Sequence, residues 1–250
     1  PSPALSTRRD RERFAEFYRE LDGKDFVSSS ATTARPPIVT GPLSYIGQEA
    51  VRDDIDNFKA IFETLDATEG FITSVAPGSF ARRQNEHYKT DEEFLEALGE
   101  ALREEYTTII EAGYILQLDD PGLPDTWDMT NPEPEIEEYR NFAALRIEAL
   151  NHALRGLPEE QIRYHICWGS WHGPHTTDLP LKHIVDLLLT VNAGAYSVEA
   201  GNVRHEHEWK IWRDTKLPHG KILIPGVVSH ATNVVEHPEL VSDRIVRFAE

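Results

Sequence analysis

The sequence has very little cysteine and no long hydrophobic run. Cys167 is the only cysteine among 250 residues, so no intrachain disulfide framework can form. No apolar stretch approaches the roughly 18 residues that a membrane span needs, and the first ten residues lack the apolar core of a secretory signal. These absences predict a protein that does not enter the membrane and works in a reducing cytoplasmic setting.

Positive charge is scarce, and the common nucleotide and hydrolase motifs are missing. Lys and Arg number 25 against 43 Asp and Glu, which gives a net charge of -18 at pH 7. Most of the surface would therefore repel a phosphate backbone, so nucleic acid is not an expected partner. The sequence also lacks a Gly-x-Gly-x-x-Gly fingerprint, a Gly-Lys-Ser/Thr phosphate loop and a Gly-x-Ser-x-Gly elbow.

Short apolar runs alternate with longer amphipathic stretches along the chain, which is typical of repeated βα units. The runs predict strands at 37–40, 70–75, 114–118, 162–167, 195–198 and 221–227. The first strand could instead belong to an extra hairpin outside the main sheet. The amphipathic stretches predict helices at 8–21, 49–65, 91–112, 136–155, 181–190 and 238–249.

Local signals fix some of these boundaries. Thr90 precedes three acidic residues, so we expect it to cap the helix that begins at Asp91, and Gly113 stands where a left-handed terminator belongs. Four prolines in 119–135 predict a long loop after a strand. Polar residues gathered behind each strand favour an α/β fold of the (β/α)8 TIM-barrel type, with residues 1–250 as a single domain. The six strands fall short of eight.

The strongest chemical signal is a His-x-Cys pair that ends a predicted strand. Alternation places His165 and Cys167 on the same face, about 7 Å apart at about 3.3 Å per residue. Imidazole nitrogen and thiolate sulfur suit zinc, and Glu199 at the end of the next strand could supply a carboxylate ligand. We therefore predict a zinc site at His165, Cys167 and Glu199. The alternative is a buried, unreactive cysteine beside a hydrogen-bonded core histidine.

Two acidic residues and a histidine follow other strands. Asp119 and Asp120 stand side by side, which predicts a cationic partner or a separation of their pKa values, although simple loop capping is the alternative. We predict that both contact substrate. His230 could act as a general acid, while a structural histidine is the alternative.

A second polar segment directly follows Glu199. Arg204 could grip a substrate carboxylate or sulfonate with two parallel bonds, and His205 and His207 are further candidate substrate contacts. The two histidines lie two residues apart, so they would converge only on an irregular backbone; a charged helix start is the alternative. The loop after Cys167 adds further polar side chains, namely His172, His175 and Asp178. We interpret these as supporting or exposed groups rather than ligands.

Four segments together resemble the cobalamin-independent methionine synthase family: 116–121, 165–169, 196–202 and 224–228. The resemblance covers about residue 36 to the end and implies a (β/α)8 barrel related to uroporphyrinogen decarboxylase. It implies zinc ligation by His165, Cys167 and Glu199, and a role for Asp119 in holding the amino group of homocysteine. His230 falls one position from the family's proton donor. The family's further cysteine ligand and opening strand are absent, so we expect a fragment that lacks the first strands and the last strand.

The resemblance implies zinc-dependent transfer of a methyl or other alkyl group to a small-molecule thiol, with methyltetrahydrofolate as one candidate donor. The segment 204–209 is also similar to a branch of the family that includes epoxyalkane:coenzyme M transferase-like proteins. Thiol addition to an epoxide is therefore an alternative. A metal-free barrel that serves as a binding module is another, and the sequence leaves the oligomeric state open.

Overall fold

The structure, a computed structural model, describes residues 8–22, 37–169 and 173–250. The strands of the described residues are β1 (Ile38–Val39), β2 (Phe71–Val75), β3 (Gln84–Asn85), β4 (Ile115–Asp119), β5 (Ile162–Ile166), β6 (Ala195–Glu199) and β7 (Ile222–Gly226). Five of them form the central sheet in the order β2-β4-β5-β6-β7, and all neighbouring strands of this sheet run parallel.

Helices connect these strands. The α-helices in the described part of the chain are α1 (Arg9–Arg13), α2 (Ala15–Asp22), α3 (Gln48–Phe62), α4 (Pro77–Phe80), α5 (Asp91–Glu111), α6 (Gly122–Met129), α7 (Ile136–Leu154), α8 (Val185–Leu188), α9 (Ile211–Asp214) and α10 (Pro238–Ala249). Short 3-10 helices span Glu159–Gln161, Leu181–His183 and Glu206–Lys210. No helix of the described residues is long and apolar enough to cross a membrane.

Capping determines the limits of the longest helix. The side chain of Thr90 accepts a hydrogen bond from the backbone N–H of Glu93, and Gly113 adopts a φ of +89° just beyond the end of α5. A side-chain cap satisfies one of the free N–H groups of the first turn, and glycine takes a positive φ without steric cost. Both predictions for this helix are confirmed.

The two faces of the sheet differ in polarity because side chains alternate along each strand. On one face, Leu116 and Leu118 of β4 and Tyr164 of β5 are buried in the main hydrophobic core, together with residues of α5 and α7. The opposite face is less buried and carries polar side chains, namely Gln117, Asp119, Arg163, His165, Ser197 and Glu199. The polar groups of the candidate site therefore lie on the face that α5 and α7 leave open.

Consecutive parallel strands joined by helices confirm the α/β class. Each strand from β4 to β7 pairs with the strand of the main sheet that precedes it in the chain, an arrangement that fits part of a (β/α)8 barrel. Closure into an eight-stranded barrel and the single-domain assignment stay predictions. The predicted strand at 37–40 shortens to β1, which lies outside the five-stranded sheet as anticipated. It pairs in parallel with β3, so the hairpin assignment is wrong.

The prediction of a long loop over 119–135 is wrong, because α6 occupies its centre. Pro121 is the residue before the first helical position, and Pro124 lies in the first turn. The N–H groups of a first turn have no partner within the helix, so proline costs little there. Two prolines near a helix start are therefore compatible with a helix, and only Pro132 and Pro134 lie in the irregular chain that follows.

Two other predicted helices are interrupted. The 181–190 stretch forms the 3-10 turn Leu181–His183 and the short helix α8, with Ile184 at a φ of −131° between them. The 8–21 stretch divides at Phe14, where φ is −117° and ψ is 42°, into α1 and α2. The periodicity correctly predicts helical structure on both sides of each break. It does not indicate the single non-helical residue that interrupts each stretch.

Candidate functional site

The register of the sheet places the candidate side chains at one edge. Asp119 at the end of β4 is opposite His165 of β5, and His165 is in turn opposite Ser197 of β6. Glu199 lies two residues beyond Ser197 and therefore on the same face. Continuing this register by one residue places Cys167 beside Glu199. The carboxyl ends of parallel strands are where α/β folds assemble their functional groups.

His165 is a largely buried imidazole between acidic neighbours. Its Nδ1 lies 3.2 Å from Oγ of Ser197. Burial lowers the pKa of His165, and this effect outweighs the opposing influence of the Asp119 and Glu199 carboxylates, while His230 lowers the pKa further. A neutral imidazole is the form in which histidine binds a metal.

Cys167 lies in an environment that keeps its thiol protonated. Burial raises the pKa of Cys167 to about 11, and the nearby carboxylates of Glu199 and Asp119 add to the rise, against a hydrogen bond from the backbone N–H of Gly169. A thiolate here would face two negative charges. A bound cation would reverse that balance and stabilise the thiolate.

Glu199 is tied to Arg204 through a buried amide. Nδ2 of Asn202 donates to Oε1 of Glu199 at 2.7 Å, and Oδ1 of Asn202 accepts from Nε of Arg204 at 3.1 Å. Asn202 is itself only 1% exposed. Oε2 of Glu199 and Nη2 of Arg204 are both buried and have no hydrogen-bond partner within the described residues. Oε2 of Glu199 can thus accept a hydrogen bond from a cationic group, and Nη2 of Arg204 can donate one to an anionic group.

The donor atoms of the proposed ligands suit zinc, but the side chains are not grouped closely around one point. Imidazole nitrogen, thiolate sulfur and carboxylate oxygen are all zinc donors, and the buried Oε2 of Glu199 needs a positive partner. Within the described ranges, however, no three His, Cys, Asp or Glu side chains are grouped closely enough to hold a metal ion. The set of His165, Cys167 and Glu199 therefore stays a prediction.

The adjacent acids Asp119 and Asp120 have different surroundings. Nε2 of Gln117 donates to Oδ1 of Asp119 at 3.0 Å, on the face that carries His165. Asp120 is 2% exposed and accepts hydrogen bonds from Oγ of Ser79 at 2.6 Å and from the Tyr164 hydroxyl at 2.9 Å. Burial raises the pKa of Asp120 despite these bonds. In this structure Asp120 joins β4, β5 and α4, and both its carboxylate oxygens already have protein partners.

His205 and His207 lie in contrasting environments. His205 is buried, with Nε2 at 3.0 Å from Oδ2 of Asp178 and Nδ1 at 2.9 Å from Oε2 of Glu208. A substrate contact by His205 would therefore require one of these bonds to break. His207 is exposed. His205 immediately precedes the 3-10 helix from Glu206 to Lys210, which contains His207, and the two rings do not share an environment.

Ion pairs hold the loop that carries His230. Arg244 of α10 contacts Glu236 and Glu206, and donates to the backbone carbonyl of Val227 at 2.8 Å. Glu236 in turn accepts from the backbone N–H of Ser229 at 2.7 Å. His230 is exposed, and its electrostatic effect lowers the pKa of His165. The loop with His230 thus lies near the edge that carries His165.

The amino-terminal helix α1 packs on the loops at the same end of the sheet. Arg8 makes two parallel bonds to Asp125 of α6, at 2.7 and 2.8 Å. The buried carboxylate of Asp10 accepts from the backbone N–H of Thr176 at 2.8 Å and from its hydroxyl at 2.5 Å. α1 therefore connects the segment after β4 with the segment after β5.

Several supporting residues were not predicted from the sequence. Strand alternation could have identified Ser197 and Gln117, because they precede Glu199 and Asp119 by two positions and therefore lie on the same face. Asn202 acts within its own turn, through Glu199 and Arg204, but an asparagine after a strand gives no specific signal for that role. Glu208 depends on the distant Leu181. His172 lies outside the described residues.

Comparison with known proteins identifies a fold and no family. No protein-family model and no curated protein matches the sequence. Among solved structures, a B12-independent methionine synthase from a Shewanella species, in complex with selenomethionine, aligns with a TM-score of 0.62 and 20% sequence identity. The alignment covers 86% of this chain and 59% of that chain, so this chain spans about three fifths of the length of that protein.

A second solved structure is the homocysteine methyltransferase MmuM from Escherichia coli in its apo form. It is 12% identical, with 76% of this chain and 99% of that chain covered. Its TM-score of 0.25 is too low to support any argument. The described chain is therefore similar in fold to a B12-independent methionine synthase over the matched length.

Proposed function

We propose that this protein transfers a methyl or other alkyl group to a small-molecule thiol, and that it uses zinc at the edge formed by β4, β5 and β6. The fold supports the proposal because the similar structure is that of a methionine synthase. The observation that carries it is the alignment of Asp119, His165 and Glu199 at one sheet edge with Cys167 directly beyond. Histidine, cysteine and carboxylate side chains are all residue types that bind zinc.

In this proposal His165, Cys167 and Glu199 hold the metal. A zinc ion with an open coordination position would lower the pKa of a bound thiol and keep it ionised at neutral pH. Burial of His165 favours the neutral imidazole that a ligand needs. The free Oε2 of Glu199 provides a negative charge that has no protein partner in the described residues.

The surrounding residues position the two substrates. Asp119 is held by Gln117 on the face of His165, where its carboxylate can accept a hydrogen bond from an ammonium group of the thiol substrate. Arg204 offers the buried Nη2 to an anionic tail. His230, exposed on the loop after β7, can deliver a proton to the leaving group, such as the amine nitrogen of methyltetrahydrofolate after its methyl group departs.

The orientation of Arg204 supports a second candidate reaction. A guanidinium that offers a free buried donor suits a thiol with a sulfonate or carboxylate tail and no ammonium group. Such a thiol could open an epoxide, with His230 supplying the proton to the alkoxide oxygen. This reaction uses the same metal site. It differs in its electrophile, which is an epoxide, and in that Asp119 has no ammonium group to bind.

Thiol consumption distinguishes these reactions. We would supply the zinc-loaded protein with homocysteine and methyltetrahydrofolate, or with coenzyme M and an epoxide, and follow loss of the free thiol. The proposal expects turnover with one pair, and its loss in Glu199→Gln but not in His219→Gln, since His219 is exposed outside the site. No turnover with either pair, in a protein that binds zinc stoichiometrically, would contradict alkyl transfer and favour a binding module.

A further inference from the structure

We propose that His205, held as an imidazolium between Asp178 and Glu208, is a charged clasp on the chain that follows Cys167, and that loss of its proton loosens residues 178–181. The clasp is the set of Asp178, His205 and Glu208. This inference does not rest on the proposed function, because it concerns a movement that can be measured without an activity assay.

The geometry of the clasp favours a cation. Both ring nitrogens of His205 face carboxylate oxygens, with Nε2 at 3.0 Å from Asp178 and Nδ1 at 2.9 Å from Glu208. A neutral imidazole carries one N–H and can donate to only one of the two. The side chains of His205, Asp178 and Glu208 are 5%, 11% and 7% exposed. Water therefore does little to replace a bond that is lost.

The clasp joins two segments at the carboxyl edge of the sheet. Asp178 belongs to the chain after β5, and Glu208 belongs to the 3-10 helix after β6. The other oxygen of Glu208 accepts from the backbone N–H of Leu181 at 2.7 Å. The ring of Trp168, the residue after Cys167, stacks on His205 with 3.7 Å between centroids. Thus His205 contacts Trp168, directly after the candidate thiol, and Asp178, further along the chain.

The electrostatics of the clasp favour the charged form. Burial alone would lower the pKa of His205, but the hydrogen bonds and charges of Asp178 and Glu208 outweigh it and raise the pKa above its ordinary value. Burial would raise the pKa of Asp178, and the bonds from His175 and His205 instead hold it well below its usual range. His183 lies close enough to Glu208 for their charges to interact.

These shifts define when the clasp holds. Because the pKa of His205 is raised in the closed form, its contribution is complete below the open-state value of about 6.5 and declines as pH rises to the closed-state value. Between those two values, the equilibrium constant for opening should increase about ten-fold per pH unit. Asp178 has the opposite sign, so its contribution is lost only in acid, as pH falls through its lowered pKa.

A neighbouring anchor provides an internal control. The backbone N–H of Thr176 is held by Asp10, which is not a member of the clasp. The N–H of Leu181 is held by the clasp residue Glu208. Loss of the proton from His205 should therefore accelerate exchange at Leu181 far more than at Thr176.

Residue-resolved hydrogen exchange between pH 6 and pH 9 tests the proposal, with each rate corrected for its intrinsic pH dependence. In the wild-type protein, we expect corrected exchange at Leu181 to accelerate several-fold over this range, with Thr176 changing much less. In His205→Gln, exchange at Leu181 should be fast and independent of pH. The variant His219→Gln should behave as wild type, because His219 is exposed and outside the clasp.

Three results would overturn the clasp: constant protection of Leu181 in the wild-type protein, equal acceleration at Leu181 and Thr176, or wild-type pH dependence retained in His205→Gln. If His205→Gln does not fold, the comparison of Leu181 with Thr176 in the wild-type and His219→Gln proteins still decides the question.

Discussion

Glu199 and Arg204 are joined through the side chain of Asn202, which donates to the carboxylate and accepts from the guanidinium. Each partner keeps one buried polar atom without a hydrogen bond in the described residues. An unpaired buried polar atom costs free energy, so this arrangement is more stable when ligands satisfy both atoms. The pair therefore marks the part of the edge where a cation and an anion can bind side by side.

Removal of the Arg204 charge should weaken binding of an anionic thiol. For Arg204→Gln we expect KM for that thiol to rise about ten- to hundred-fold, since a hydrogen bond between charged groups contributes about 1.5–3 kcal/mol. Steady-state kinetics with Arg213→Gln as the control would check this, because Arg213 is exposed and stacks on Trp209. An unchanged KM would exclude a contact between Arg204 and the substrate.

Asp119→Asn should discriminate between thiols. We expect KM to rise about ten-fold or more for a thiol that carries an ammonium group, because the carboxylate can no longer pair with the charge. A thiol without an ammonium group should be nearly unaffected, and zinc content should not change. Equal KM values for homocysteine in the variant and the wild-type protein would remove Asp119 from the substrate site.

Tyr164→Phe should reduce stability without touching the open face of the sheet. The Tyr164 hydroxyl donates to the buried carboxylate of Asp120, so its removal leaves an acceptor short of one bond. We expect the free energy of unfolding to fall by about 1–3 kcal/mol, measured by denaturant titration. A loss below about 0.5 kcal/mol would mean that Asp120 is satisfied in another way.

The sequence was informative wherever local rules decide the structure. Thr90 and Gly113 determined the limits of α5 because a cap and a positive φ act within a few residues. Strand alternation predicted a shared face for His165 and Cys167, since it needs only the period of the strand. These predictions required no knowledge of distant contacts.

Local sequence patterns could not predict the contacts between distant segments. The role of His205 depends on Asp178, which is 27 residues away, and nothing in the local pattern indicates that pairing. The sequence likewise placed both His205 and His207 among the candidate substrate contacts, whereas packing buries the first and exposes the second. The helix α6 was missed because the number of prolines, rather than their positions in the first turn, decided the prediction.

The pKa of Cys167 gives a test on the metal-free protein. Because burial raises this pKa to about 11, the rate of alkylation by iodoacetamide should still be rising above pH 10, whereas a thiol in an unfolded peptide levels off above about 8.5. Cys167 is the only cysteine, so the labelling is unambiguous. A labelling profile centred near 8.5 in the folded protein would show that the thiol is not buried among carboxylates.

The zinc content of the purified protein tests the central claim most directly, with Cys167→Ala and Glu199→Gln measured beside the exposed-site control His219→Gln. We predict about one zinc ion per chain in the wild-type and control proteins, and a large loss in both site variants, since a site without its thiolate or carboxylate binds zinc far more weakly. Zinc retained in full by Cys167→Ala, or no zinc bound by the folded wild-type protein when zinc is supplied, would contradict the account.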